Sequence, residues 1–370
     1  MGPIRSLLWL VAAAGFFPAP GACPDALGAV DAGSEASLLA RPTTPHLRVM
    51  TWNVGTNSIF DDPGPRGTRG SDAARPARFR RMLQAIQPDI LCLQEVFPPR
   101  NADDVAQLLD ATLPLAGDDR WQAYGAPDVV IAARYPIATR DSRSEDWGGG
   151  VPRTHAMAGL ELPGSAGGVD LHIICAHMQS GGAPKDLAAR QAQADAIVAW
   201  TRELRNSRQA IDATALVVLG DMNAYETDPA RHVESLISGQ IVNVDRFGAA
   251  APPHTDGLPL CDAQPRHNVS GTETYTFGDG SSARFPPAAV DRILFTASRL
   301  RMLGGFVLNT TTLGAEALMR AGLQADDVRR ASGPEGIDHL PLVVDFALEP
   351  SQACASAVAF TATAGALGAQ

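Results

Sequence analysis

The sequence predicts a single α/β domain, and three observations point to it. Short, branched apolar runs that read as buried strands alternate with longer stretches whose apolar residues recur at helical spacing. No internal repeat and no linker of the usual composition interrupts residues 47–347, so one domain is simpler than two. Finally, strands end in polar residues, most clearly where Val217, Val218 and Leu219 lead through Gly220 to Asp221 and Asn223. In a strand-like continuation, residues two apart share a side. Asp221 and Asn223 would then leave the end of a rigid element together; the plainer reading is an Asx-type turn.

The chain divides into four parts. Arg5 and the apolar Leu7–Phe17, too short to span a bilayer as a helix, read as a secretion signal over residues 1–22. Cys23 after Gly21-Ala22 fits a lipoprotein cleavage site, although Pro20 departs from it, and simple cleavage and release is the other reading. Both place the mature chain outside the cytoplasm: secreted or periplasmic, or lipid-anchored through Cys23. Residues 23–46 are rich in Ala, Gly, Ser and Pro and read as a tether. Residues 47–348 form the domain, and the small-residue tail 349–370 is expected to fray.

A formal net charge of −10 argues against a surface that coats nucleic acid by neutralising phosphates. It does not argue against a metal-dependent enzyme, since carboxylate ligands make such sites acidic. Of the cysteines, Cys92 and Cys175 sit in apolar strand patterns and read as small core residues. Cys261 and Cys354 lie in loop or tail sequence, where an oxidising compartment would permit a bridge.

In order, Leu47–Val54 is the first strand. Phe79, Met82, Leu83 and Ile86 mark an arginine-rich helix halted by Pro88, and Ile90–Leu93 is a strand that delivers Gln94 and Glu95. A helix over Val105, Leu108 and Leu109 precedes the strand Asp128–Ala133. In the strand Val169–His177, Leu171, Ile173, Cys175 and His177 share a face, and a long helix follows over Leu187–Leu204. Residues 246–288, rich in Pro and Gly, read as a surface excursion beside the site. The strands Val290–Phe295, Phe306–Leu308 and Leu340–Ala347 complete the core.

Six elements leave a polar residue at a strand end, and each has an ordinary structural explanation taken singly. Together they suit phosphoester hydrolysis. Glu95 and Asp338 are hard oxygen ligands for magnesium, with Asn53 and Asp221 placed to hold its waters. His339 with Asp291 could take a proton from water, the carboxylate fixing the ring's tautomer. His177 could protonate the leaving oxygen or neutralise phosphate charge, and Asn223 could orient the nucleophile.

Thr51-Trp52-Asn53, Leu93-Gln94-Glu95-Val96, Arg134-Tyr135-Pro136-Ile137, Ala176-His177-Met178, Gly220-Asp221-Met222-Asn223-Ala224, Val290-Asp291 and Asp338-His339-Leu340-Pro341 resemble, in order, the motifs of the endonuclease/exonuclease/phosphatase superfamily. The resemblance implies a four-layer α/β/β/α sandwich of two packed mixed sheets with outer helices and the site at one end. It implies a metal at Glu95 with Asn53 and Asp338 close by, and a magnesium cofactor for which manganese or calcium could stand in. It matches Asp221 and Asn223 to the pair that positions water and phosphate, His339 with Asp291 to the base pair, and His177 to the second catalytic histidine. Asp221 stays open as a rival base. The glutamate that steadies the second histidine in the deoxyribonuclease branch has no clear match, and Asp128 is the nearest carboxylate. Ala133 and Gln179 stand where the family often has serine and lysine. Arg153 and His155 could reach a substrate phosphate, or Arg153 could be a surface ion-pair partner.

The expected partner is a phosphate-ester substrate, handled by a monomer with no evident protein partner. A nuclease would want a cationic track, for which Arg66, Arg69, Arg75, Arg78, Arg80 and Arg81 are the candidates against a merely solvated helix face. A sphingomyelinase-like lipid phosphodiesterase would want an apolar prong, and Phe247, Tyr275, Phe277 and Phe285 form no obvious run. A phosphomonoesterase needs neither. Phosphodiesterase chemistry ranks first. The alternative from another class is a non-catalytic surface binding protein on the same fold, against which every position of the core set is filled.

Overall fold

Side-chain alternation decides how the strands stack. Leu171, Ile173 and Cys175 join one apolar cluster while Ile174 and Ala176, between them, join another. A strand that is apolar on both faces needs a layer on each. The computed structural model describes residues 39–44, 46–64, 73–145, 153–163, 168–207, 214–225, 231–268, 271–278, 286–329 and 337–348. The elements are β1 (Leu47–Asn53), α1 (Arg75–Ile86), β2 (Ile90–Val96), α2 (Ala102–Thr112), β3 (Gln122–Ala126), β4 (Asp128–Ala133), β5 (Ile137–Glu145), β6 (Arg153–Leu160), β7 (Leu171–His177), α3 (Pro184–Asn206), β8 (Ala215–Asp221), α4 (Arg231–Ser238), α5 (Val244–Phe247), β9 (Cys261–Ala263), β10 (Asp291–Phe295), β11 (Leu300–Val307), α6 (Ala315–Ala321) and β12 (Leu342–Leu348).

Two six-stranded mixed sheets result, in the orders β11-β12-β1-β2-β4-β3 and β5-β6-β7-β8-β10-β9. Their facing sides form the main core, with α1 and α2 packed behind the first sheet and α3 and α4 behind the second. This is the expected α/β/β/α sandwich. Each sheet has one parallel pair near its middle, β1 with β2 and β7 with β8, and antiparallel neighbours around it. The C-terminal ends of the parallel strands therefore lie beside the N-terminal ends of their antiparallel neighbours. Val96 stands opposite Asp128, and Asp221 opposite Asp291. Strand-end residues distant in sequence thus collect along one edge of each sheet.

The structure departs from the sequence expectations, or adds to them, at four points. Cys92 and Cys175 are not free core thiols: they form a disulfide that joins β2 of one sheet to β7 of the other. Their burial gave the apolar appearance, while the pairing is tertiary and invisible to local pattern. β5 and β6 were not expected, because β5 (IATRDSRSE) is polar and β6 is rich in small residues. The stretch 246–288 is not wholly a surface excursion, since Phe247, Leu260 and Ala263 are buried and Phe277 pairs with Ala288 and His339. The arginines of α1 form no open cationic track. Arg75 and Arg78 are buried and donate to the carbonyls of Asp327 and Arg329, and Arg75 also lies over the Trp52 ring. Arg80 and Arg81 pair with Asp61 and Asp327.

Arg66, Arg69 and Phe285 lie outside the described residues, as do Cys23, Cys354, residues 1–38 and the tail 349–370. Cys261 is itself disulfide-bonded.

Candidate active site

The edge where the strands end gathers side chains from both sheets. From the first come Asn53 at the end of β1, Glu95 near the end of β2, Asp128 at the start of β4, and Asp338 and His339 just before β12. From the second come Arg153 at the start of β6, His177 and Asp221 at the ends of β7 and β8, and Asp291 at the start of β10. Asn223 follows β8 directly.

The contacts that matter cross between the sheets. Asn53 Nδ2 lies 3.2 Å from Glu95 Oε1 and 3.1 Å from Asp221 Oδ2, tying a carboxylate of one sheet to a carboxylate of the other. His177 Nδ1 is 2.8 Å from Asp128 Oδ1, and His339 Nδ1 is 2.9 Å from Asp291 Oδ2. The outward nitrogens of the two rings converge: His177 Nε2 is 3.5 Å, and His339 Nε2 3.7 Å, from Asp221 Oδ2. All of these groups except Glu95 and Asp338 are at least nine-tenths buried or, for Arg153, held by a buried partner.

Local backbone explains how the groups are aimed. Glu95, Asp128 and Asn223 have φ of 66°, 92° and 50°, a left-handed region that costs non-glycine residues about 1–3 kcal/mol each. At Glu95 this coincides with a shift in the β2–β4 register between Gln94 and Val96. Gly220 has φ 137°, and a Cβ there would sit 1.9 Å from the Ala176 carbonyl oxygen, so only glycine lets β8 approach β7 as it delivers Asp221. Trp52 Nε1 donates to the His339 carbonyl at 3.0 Å, and Phe277 packs its ring 4.9 Å from the imidazole.

Two residues escaped the sequence reading. Thr56 gives both its N–H and its hydroxyl to Glu95 Oε2, each at 2.7 Å, and only its closeness to Asn53 could have flagged it. Tyr225 stands edge-on to Phe277 and places its hydroxyl 3.4 Å from Asn223 Oδ1. Asn223 Nδ2 donates to the Met178 carbonyl, which joins the loops after β7 and β8. Asp128, seen in the sequence only as the nearest carboxylate, is the partner of His177. Arg153 is an ion-pair partner, with Nη1 2.8 Å from Asp128 Oδ2 and 2.9 Å from His177 Nδ1. His155 lies buried, and neither ring nitrogen has a hydrogen-bond partner among the described residues.

Burial and neighbouring charge pull these groups in opposite directions. Burial depresses the His339 pKa, but Asp291 and Asp221 outweigh it and push it up to about 10. Burial likewise opposes charge on His177, and Asp128 more than restores it, so its pKa is raised. Glu95 and Asp128 are lowered in spite of burial, chiefly by the His177 charge. At His155 burial dominates and lowers the pKa to about 4.

The donor set fits a divalent cation. Five carboxylates (Glu95, Asp128, Asp221, Asp291 and Asp338) face one guanidinium and two imidazoles among the contacting groups. The cluster is thus rich in carboxylate oxygen, the donor type that a hard cation takes. Among the described residues, buried Asp291 Oδ1 has no hydrogen-bond partner, and ligand atoms of Asp221, Asp291 and His339 lie within 4.8 Å of one another. Hard oxygen donors in this number suit magnesium, manganese or calcium.

Two packed sheets with carboxylates, amides and paired imidazoles at one edge define the phosphoesterase class of α/β sandwich. The chain belongs to the Endonuclease/Exonuclease/phosphatase family, whose model matches residues 50–312. Among solved structures, the human Nocturnin catalytic domain with bound sulfate is similar at a TM-score of 0.50 and 17% identity, covering 84% of this chain and 97% of that one. TDP2 from C. elegans is similar at a TM-score of 0.50 and 15% identity, covering 87% and 82%. At these identities the likeness is one of fold. No curated protein matches the sequence.

Proposed function

We propose that this protein is an exported, divalent-metal-dependent phosphodiesterase that cleaves its substrate by in-line attack of water. One observation carries the reading: two imidazoles, each backed by a carboxylate of the opposite sheet, converge on the same oxygen of Asp221. Such paired rings suit a reaction that takes a proton at one side of phosphorus and gives one at the other.

Glu95 would hold the cation together with Asp338, and Asn53 ties Glu95 to Asp221. A bound cation would polarise a phosphoryl oxygen and, by its own charge, oppose protonation of the nearby His339 ring. His339 then accepts the proton of the attacking water at Nε2, with Nδ1 held by Asp291. Asp221, within reach of the same point, is the rival acceptor. His177 donates to the leaving oxygen at Nε2, and Asp128 holds its Nδ1. Asn223 orients the water, and Arg153 draws a substrate phosphate toward His177 from the Asp128 side.

The paired and buried arginines of α1 weigh against a long nucleic-acid track, so a compact diester is favoured over a polymer. The disulfide between Cys92 and Cys175 supports an oxidising compartment. Release of nitrophenol from bis(p-nitrophenyl) phosphate, with and without a chelator, tests the reaction. A panel of DNA, RNA, sphingomyelin and inositol phosphates with several divalent ions tests the substrate. Metal-dependent turnover is expected. No turnover on the ester, plasmid DNA or sphingomyelin would move the reading to a non-catalytic binding protein.

A further inference from the structure

Each working pair of the site takes one member from each sheet: Asn53 with Asp221, Asp128 with His177, and His339 with Asp291. Their distances therefore depend on how far apart, and in what register, two sheets sit that are otherwise held together across the interior by non-covalent contacts among the described residues. The Cys92–Cys175 disulfide links the middle of β2 to β7, with Cα atoms 5.7 Å apart. On the same strands, three residues beyond Cys92 is Glu95, and two beyond Cys175 is His177. Between bridge and site lies Gln94, fully buried, whose Nε2 is 3.0 Å from Cys92 Sγ and 3.5 Å from Cys175 Sγ and also reaches Thr51 Oγ1 at 3.1 Å.

We propose that this bridge is a positioning device for the active site: it sets the spacing between the half-sites, and catalysis requires it closed. The inference rests on the phosphodiesterase reading. Hydrophobic packing is non-directional and tolerates small sliding, whereas a covalent link two to three residues from Glu95 and His177 does not. Displacement of about 1 Å between groups that must act together costs about 100-fold in rate. A bridge serving only stability would be equally useful anywhere in the sandwich. Here it stands beneath the pairs whose members it separates. Opening it by a dithiol yields two cysteine thiols and one cyclic disulfide of the reductant, so the chemistry balances without any further partner.

The test uses the full chain. Two double variants are compared with wild type: Cys92→Ala with Cys175→Ala, and Cys92→Val with Cys175→Ala, which refills the sulfur volume. For folded variants, kcat on bis(p-nitrophenyl) phosphate well below the unfolding temperature is expected to fall by about tenfold or more, with KM changed by less than about twofold. The hydrogen-bonded imidazole proton signals of His177 and His339 are expected to broaden or vanish in NMR spectra. Both signals intact with kcat within about twofold of wild type would overturn the inference. In a second measurement wild type is titrated with dithiothreitol, and alkylation with mass mapping follows Cys92 and Cys175. Activity is expected to fall with bridge opening before the circular dichroism changes. Activity lost only together with the dichroism would overturn it, including when neither variant folds. Wild type inactive on every ester, yet showing the same NMR change on bridge opening, would fail the phosphodiesterase reading and leave the positioning role standing.

Discussion

His177 and Asp128 meet across the two sheets at 2.8 Å, and Arg153 holds the other oxygen of the same carboxylate at 2.8 Å. The aspartate thereby chooses which nitrogen of His177 faces the substrate. Asp128→Asn keeps the size of the side chain, tolerates its positive φ and removes the charge. We expect kcat to fall by about 10²–10⁴-fold with little change in KM. Steady-state kinetics on a nitrophenyl diester checks this, and an unchanged kcat would remove His177 from the reaction.

His339→Ala removes the ring that Asp291 supports, but leaves the carbonyl that Trp52 Nε1 contacts. Turnover is expected to fall by about 10³-fold or more, while far-UV circular dichroism stays as in wild type. Near-wild-type activity would defeat the role given to this residue.

Cation removal should register in stability as well as in rate. A ligand bound only by the folded state raises its stability by about 2.7 kcal/mol at 100 times its dissociation constant. Saturating magnesium is expected to raise the unfolding temperature and a chelator to lower it again, abolishing activity. Glu95→Gln should flatten that response, as measured by calorimetry at matched ionic strength. A full shift in the variant would place the cation elsewhere.

Buried neutral histidines make the fold acid-sensitive. Burial lowers His155 and His172 from 6.5 to about 4. Between those values the unfolded chain binds more protons than the folded one, so stability rises with pH. Their contribution is complete above about pH 6.5 and lost as pH falls toward 4. Urea midpoints at pH 7, 5.5 and 4 should decrease in that order, and His172→Leu should shallow the slope. A pH slope in His172→Leu equal to that of wild type would contradict the lowered value of that ring.

Gly220→Ala brings a methyl group to 1.9 Å from the Ala176 carbonyl oxygen on a backbone of φ 137°. A loss of about 3 kcal/mol or more is expected, with activity reduced because Asp221 is the next residue. Urea unfolding of the variant measures it, and a loss under about 1 kcal/mol would mean that β7 and β8 can part without cost.

The sequence carried the strand ends well because a buried strand advertises itself by apolar runs and halts at a polar residue. Glu95, His177, Asp221, Asp291 and His339 were all legible in this way, and they meet at one edge. What depends on tertiary pairing was not legible. Cys92 and Cys175 stand 83 residues apart in ordinary core patterns, and nothing local joins them. The arginines of α1 left a cationic track and a solvated helix face both open, because charge in sequence does not reveal the carbonyls and carboxylates that meet it. β5 escaped because its alternating charged residues hide the strand behind the pattern of a loop.

The left-handed backbones of Glu95, Asp128 and Asn223 set durability against use. A screen rewarding heat resistance alone, with no demand for turnover, should drift toward glycine at these positions: the chain would relax its contorted corners and shed crowded negative charge. The survivors would be tougher molecules with nothing left to do.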